Sequence, residues 1–375
     1  MMVKKRPEDK SLFFDVCVAL SSVGIIAIIF RLLWLPDLQS KMVTGGAAPD
    51  YILEMCRSLV LYVYIPFVLW CFVLGEMTHN LSQVDKIWSV FPPVCLWFVT
   101  YYEASQHQMT WNYKLVLMSC LATVWGIRLS YQFYMKGGYS IRFWSGEEDY
   151  RWETVRRQLP LLRNRFVFLV FDLGFICVYQ LLLLATISGV VAVATIMVDH
   201  SAGLARDSLA LKDVIVGLMV LVLILVEWLS DYQQQVFQKE KHQRIRTKMS
   251  LHCPQNHYEL GFNTNGLFAY SRHPNFTAEQ LIWLAFFCFS VNHFSLTDPA
   301  TWCQLGGPLN LAISGWVLLV VIFAKSTDLT EDISSAKYPM YEKYQKHVHR
   351  FVDVKKVLRR VFLGQHCGGN VDFLK

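Results

Sequence analysis

Apolar residues in this chain come in long unbroken blocks rather than in alternation. Blocks of membrane-crossing length fall near 11–35, 57–75, 87–102, 113–135, 166–198, 212–236, 277–297 and 309–325. A helix needs about 20 apolar residues to cross the hydrocarbon of a bilayer. Only helices and closed barrels satisfy their backbone in lipid, and barrel strands would alternate. The pattern therefore predicts an all-α fold, a polytopic helical membrane protein of about eight transmembrane helices. The 166–198 block exceeds one perpendicular crossing, which predicts a tilted or broken helix. The first block follows Lys4, Lys5 and Arg6. It lacks a small-residue cleavage site and reads as an uncleaved anchor.

Composition agrees with the pattern. The chain is 54% hydrophobic and 17% charged, against about a quarter charged in soluble domains. The net charge of +6 is no sign of nucleic acid, because the positive residues are placed by topology. Segment 136–165 carries Lys136, Arg142, Arg151, Arg156, Arg157, Arg163 and Arg165. Segment 237–276 and the tail beyond 325 are also basic, whereas 36–56, 103–112 and 298–308 hold one Lys between them. Lys and Arg concentrate in cytoplasmic loops, so eight spans with both termini cytosolic put every basic segment on one side. The sequons at Asn80 and Asn275 then face the cytosol and stay unmodified. Cysteines sit singly in apolar blocks, as at Cys17, Cys71, Cys120 and Cys177, with no metal spacing.

Polar residues inside such a chain are costly and mark candidate sites. In "YSRHPNFTAEQLIW", Tyr270 to Trp283, Pro274 suits the first turn of a helix. Asn275, Glu279 and Trp283 then share one face, and Arg272 and His273 stand at the positive helix end, which favours an anion. The bland alternative for Arg272 and His273 is a snorkelling anchor at the headgroups. Elsewhere, Asp85 caps a helix or serves a site. Glu76 and His79, at a span end, read as solvated loop residues. Arg128, near the middle of its block, needs a partner and has Glu147, Glu148, Asp149 and Arg151 nearby in sequence, at an expected cytosolic mouth.

"GLFAYSRHPNFTAEQLIW" resembles the Arg-His-Pro-Asn-aromatic signature of the steroid 5-alpha-reductase-like membrane superfamily, which sterol reductases share and isoprenylcysteine carboxyl methyltransferases carry in a looser form. "EWLSDYQQQVFQKEK", from Glu227, and "STDLTEDISSAKYPMYEKYQKHVHRF", from Ser326, resemble its other two C-terminal motifs. "NLSQVDKIWSV" and "GIRLSYQFYMKGGY" resemble an uncharacterised reductase-like branch. The likeness covers residues 80–375 as one membrane domain with a C-terminal cofactor site, and leaves 1–79 as N-terminal transmembrane helices of unassigned role.

The resemblance implies NADPH in a cavity open to the cytosol, with Arg272, His273, Asn275, Asp231, Lys241 and Tyr338 as cofactor-binding candidates. A dinucleotide's phosphates call for Arg and Lys, and no Gly-x-Gly-x-x-Gly follows a strand. Where that superfamily offers Arg, His and Tyr from its last helix, this chain has Lys325, Asp328 and Glu331, so its cofactor contacts differ. The expected activity is reduction of a carbon–carbon double bond in a lipophilic, sterol-like or lipid-like substrate, in the endoplasmic reticulum membrane. Glu279, Tyr270 and Asp85 are the catalytic candidates. No metal and no nucleic acid are expected, and membrane lipids are the surrounding partners. Two alternatives stay open: an S-adenosylmethionine-dependent methyltransferase of a lipid or prenylated cysteine, and a non-catalytic membrane scaffold.

Overall fold

The computed structural model describes residues 51–140, 148–149, 152, 155, 159–247, 258, 260–293 and 298–352. The first expected span, with Lys4 to Arg6 and Cys17, lies outside the described residues, as do Arg142, Glu147, Arg151, Arg156, Arg157 and the end of the tail. Every regular element among the described residues is helical. In chain order these are α1 (Tyr51–Thr78), α2 (Gln83–Trp88), α3 (Phe91–Ser105), α4 (Tyr113–Met135), α5 (Arg165–Ser201), α6 (Leu211–Arg246), α7 (Pro274–Cys288), α8 (Ile313–Lys337) and α9 (Tyr341–His347). Four of them, α1, α5, α6 and α8, are long and apolar enough to cross a membrane.

Local chemistry explains where the elements depart from the apolar blocks. The expected 87–102 span opens as two helices, because Pro92 and Pro93 occupy the start of α3, where a missing N–H costs nothing but a continuing helix would lose its bonds. Helix α1 widens over Val60–Tyr64, just before Pro66, whose ring removes the N–H that would have bonded back to Tyr62. It stops at His79, which takes a left-handed conformation (φ 52°) and donates its N–H to Gly75. The long 166–198 block is neither broken nor short. Helix α5 runs continuously for 37 residues and absorbs its length in two widened stretches, Asp172–Tyr179 and Thr186–Val190. The expected 277–297 span is shorter, since α7 ends at Cys288 and the N–H groups of Asn292 and His293 turn to the Gly306 carbonyl.

The described residues divide into two compact units. One comprises the chain up to Ala210 with Phe289–Gly315; the other comprises Leu211–Cys288 with Trp316 onward. In the first, α5 is pinned at both ends. Lys114 at the start of α4 bonds Asp199 near the end of α5 at 2.7 Å, both buried, and Arg165 at the start of α5 pairs with Glu76 near the end of α1. Asn112 and Asn164 cap α4 and α5, each accepting from two backbone N–H groups.

In the second unit, the segment from Leu260 to Phe268 lies against α9. Phe262 packs among Tyr338, Tyr341 and Tyr344, and the Tyr344 hydroxyl donates to the Phe268 carbonyl at 2.6 Å. Gly261 has φ +81°, and a Cβ there would run into the Tyr338 ring. Gly203, in the first unit, also has a positive φ (+62°), but open space around it. Gly203→Ala should therefore cost about 1–2 kcal/mol, the left-handed strain alone. Gly261→Ala should add an overpacking cost of about 1–3 kcal/mol. Thermal unfolding in detergent checks this: the Gly261 variant melts clearly lower than the Gly203 variant.

Candidate functional site

Helices α6 and α7 of the second unit carry the polar face that the sequence marks. On α6, Glu227 and Asp231 are one turn apart and buried, 4% and 8% exposed. On α7, which does begin at Pro274, Asn275, Glu279 and Trp283 recur at helical spacing. Asn275 Nδ2 donates to Asp231 Oδ1 at 3.4 Å, and Trp283 Nε1 donates to Glu279 Oε1 at 2.9 Å. Glu279 is 4% exposed. The two helices thus align three buried carboxylates with a carboxamide, a set that accepts from hydroxyl and amide donors.

A second cluster stands at the start of α7. Arg272 grips Glu331 of α8 with two bonds, Nε to Oε1 at 2.7 Å and Nη2 to Oε2 at 3.0 Å. Its Nη1 donates to the carbonyls of Gln345 (3.0 Å) and Val348. His273 Nε2 lies 2.9 Å from Glu331 Oε1. The Gln345 amide and the Arg350 guanidinium also donate to Glu331 Oε2, at 3.1 and 3.4 Å, and Arg350 pairs with Asp328 at 2.8 Å. The backbone joins in: Arg272 N–H donates to His349 and His273 N–H to Arg350. Sequence reasoning gave Arg272 and His273 to a cofactor anion; within the protein they hold Glu331 and clasp residues 345–350. Glu331 as the hub went unread, although a carboxylate inside a membrane-length helix is itself a signal.

The third cluster joins Lys241 of α6 to Tyr338. The ammonium donates to the Gly261 carbonyl at 2.7 Å and to the Tyr338 hydroxyl at 3.0 Å. Burial by itself would raise the Tyr338 hydroxyl above an ordinary phenol, but Lys241 and Lys337 stabilise the phenolate and the balance lowers it. Tyr270 ends the short turn Gly266–Ala269 and is partly buried. Asp85 lies in the first unit, in the first turn of α2, where it accepts from the Trp152 indole at 3.5 Å. It is not the N-cap of α2, which is Ser82. Arg128 is buried on α4, and Glu148 accepts from the Leu81 N–H at 2.8 Å. Glu76 is no solvated loop residue: it sits in the last turn of α1, its side chain 17% exposed and paired with Arg165.

Residues 71–349 match a family described as a protein of unknown function, DUF1295, and the chain belongs to that family. It is 34% identical over 302 residues to an uncharacterized protein of Schizosaccharomyces pombe, covering 76% of this chain and 79% of that one. No solved structure matches it. The matched region contains α2 and, apart from Arg350, all three clusters of the second unit.

Removing the hub charge leaves buried cations without their partner, which costs about 3–5 kcal/mol. Glu331→Gln should therefore lower stability by about that amount and raise amide hydrogen exchange across residues 345–350. Protection that stays at wild-type level would show that the carbonyl contacts of Arg272 hold the segment without the carboxylate.

Proposed function

We propose that this protein is a membrane-embedded reductase of the steroid 5-alpha-reductase-like kind, with eight spans and both termini in the cytosol. It would use NADPH to reduce a carbon–carbon double bond of a lipophilic, sterol-like or lipid-like substrate, in the endoplasmic reticulum membrane. The observation that carries the reading is the set of buried carboxylates Glu227, Asp231 and Glu279, with the half-buried Asn275 bonded to Asp231, along α6 and α7. Burying so many ionisable and amide groups in helices of this kind is costly and marks a ligand site. The topology draws support from the first unit. The Tyr113 N–H donates to the Arg206 carbonyl, so the 103–112 and 199–211 connections meet at one end, while Glu76 and Arg165 meet at the other.

The donor set fits a dinucleotide at the nicotinamide end. Asp231 and Glu279 accept from ribose hydroxyls and the carboxamide N–H, and Asn275 offers both a donor and an acceptor. At the phosphate end Lys241, Arg272 and Arg350 all belong to the same unit, each already paired inside the protein. A phosphate there exchanges with Glu331 or a carbonyl rather than meeting bare charge, which makes Arg272 as much a clasp as a ligand. When bound, NADPH supplies the hydride. The chain's own part is to hold the carboxamide against Glu279, whose carboxylate is oriented by the Trp283 indole, and to supply a proton to the product carbanion. Tyr270 is the candidate donor for that proton within this unit. Asp85 lies in the first unit, where it accepts from the Trp152 indole, and is given no part in this site.

The first test is binding of NADPH and of S-adenosylmethionine to the detergent-purified chain. NADPH binding is expected; S-adenosylmethionine alone would make the protein a methyltransferase, and neither ligand would make it a scaffold. The second test is Glu279→Gln. With a lipophilic enone that the wild type reduces, single-turnover NADPH oxidation should fall about 100-fold through misplacement of the nicotinamide. NADPH affinity should fall less than about tenfold, the worth of one hydrogen bond. Equal rates in variant and wild type would make Glu279 a structural partner of Trp283.

A further inference from the structure

The first unit holds a cavity of about 350 Å³ that the proposed reaction does not use, lined by Gly75, Glu76, His79, Leu81, Leu162, Arg163, Arg165 and Phe168. It lies where α1 ends and α5 begins. Both helices are of membrane-spanning length, so this is a place where hydrocarbon gives way to water. One side of the lining is cationic, from Arg163 and Arg165. Another is acidic: behind Gly75 and Glu76 sits Asp172, 2% exposed. The Asp172 carboxyl shares a hydrogen bond with the Glu76 carboxyl and takes the long thiol contact of Cys177 on one oxygen, at 3.7 Å. The other, Oδ2, is buried with no hydrogen-bond partner among the described residues and lies 3.7 Å from where a Cβ on Gly75 would be. A glycine in that position keeps the wall thin between the carboxylate and the cavity. Leu81, Leu162 and Phe168 supply apolar walls.

The charged groups at the cavity and behind its wall therefore have both signs, Glu76 and Asp172 against Arg163 and Arg165, with His79 also in the lining. A buried carboxylate oxygen without a donor calls for an N–H or O–H group, and leaving it unmet costs about 1–3 kcal/mol. Two guanidiniums at a membrane boundary call for a phosphate. A single ligand with a primary ammonium a few bonds from a phosphate, and with acyl chains that stay in the bilayer, meets both. We infer that this cavity is a binding site for the zwitterionic headgroup of an aminophospholipid, its ammonium directed to Glu76 and Asp172 and its phosphate to Arg163 and Arg165. In the free protein Arg165 pairs with Glu76, and the headgroup exchanges that single pair for one at each end. Choline lipids carry the same charges but no N–H donor, so they serve as the discriminating control. Phosphatidic acid carries the phosphate alone.

The test is native mass spectrometry of the full-length, detergent-purified chain. It is titrated with dioleoyl phosphatidylethanolamine, dioleoyl phosphatidylcholine or dioleoyl phosphatidic acid. The wild type should retain the ethanolamine lipid about tenfold better than the choline lipid, a difference of one charge-assisted hydrogen bond. Asp172→Asn, and separately Glu76→Gln, should erase that preference and leave phosphatidic acid binding in place. Arg163→Ala combined with Arg165→Ala should weaken the ethanolamine lipid and phosphatidic acid alike. If Asp172→Asn fails to fold, as judged by thermal unfolding and size-exclusion profile, Glu76→Gln decides. Equal retention of the ethanolamine and choline lipids by the wild type would overturn the inference. So would a preference that survives the loss of the carboxylates, which would leave a phosphate site only.

Discussion

The second unit depends on one carboxylate. Glu331 is 3% exposed inside a helix of membrane-spanning length, where an unpaired charge would be very costly. It is held by a bidentate guanidinium, an imidazole and an amide, all at 3.1 Å or less. Those partners come from two places far apart in sequence, the start of α7 and α9 itself, and Arg350 adds a longer contact from the segment that follows. Meeting the electrostatic demand of one residue on α8 therefore fixes where α7 begins and where the chain after α9 runs. The same guanidinium then takes up carbonyls of Gln345 and Val348, so one side chain neutralises a buried charge and ties down backbone.

This arrangement changes what the Arg-His pair before Pro274 means. Read alone, two cationic residues at a helix start are an anion site. The structure supplies the anion from within, as Glu331. A ligand phosphate arriving here competes with a bidentate bond already made, so affinity at this end reflects a difference between two paired states. The face of Asp231, Asn275 and Glu279 is of another kind. There an amide donates to Asp231 and an indole to Glu279, contacts that orient a carboxylate.

The first unit meets the same constraint at helix ends instead of within a helix. Lys114 with Asp199 and Arg165 with Glu76 pin the two termini of α5, and the widened stretches between them let 37 residues run without a break. Burial of Asp172 near the Arg165 end is the exception. It sits at the start of a widened stretch, where helical bonding is already irregular and functional sites are often found.

The sequence by itself determined the class of the fold. Continuous apolar blocks can satisfy their backbone in lipid only as helices, and prolines and asparagines set several boundaries, as at Pro274, Pro92, Asn112 and Asn164. It also placed Asn275, Glu279 and Trp283 on one face, because helical periodicity is local. It did not show that α5 is unbroken, since widened turns depend on packing against neighbours. It did not show that Glu76 is half-buried against Arg165, or that Gly261 must be a glycine, since only the approach of Tyr338 makes it so. Nor did it pair Arg272 with Glu331, 59 residues away. A side chain's charge is written in the sequence, but its counter-charge is chosen by which elements pack together, and that is decided only when the chain has folded.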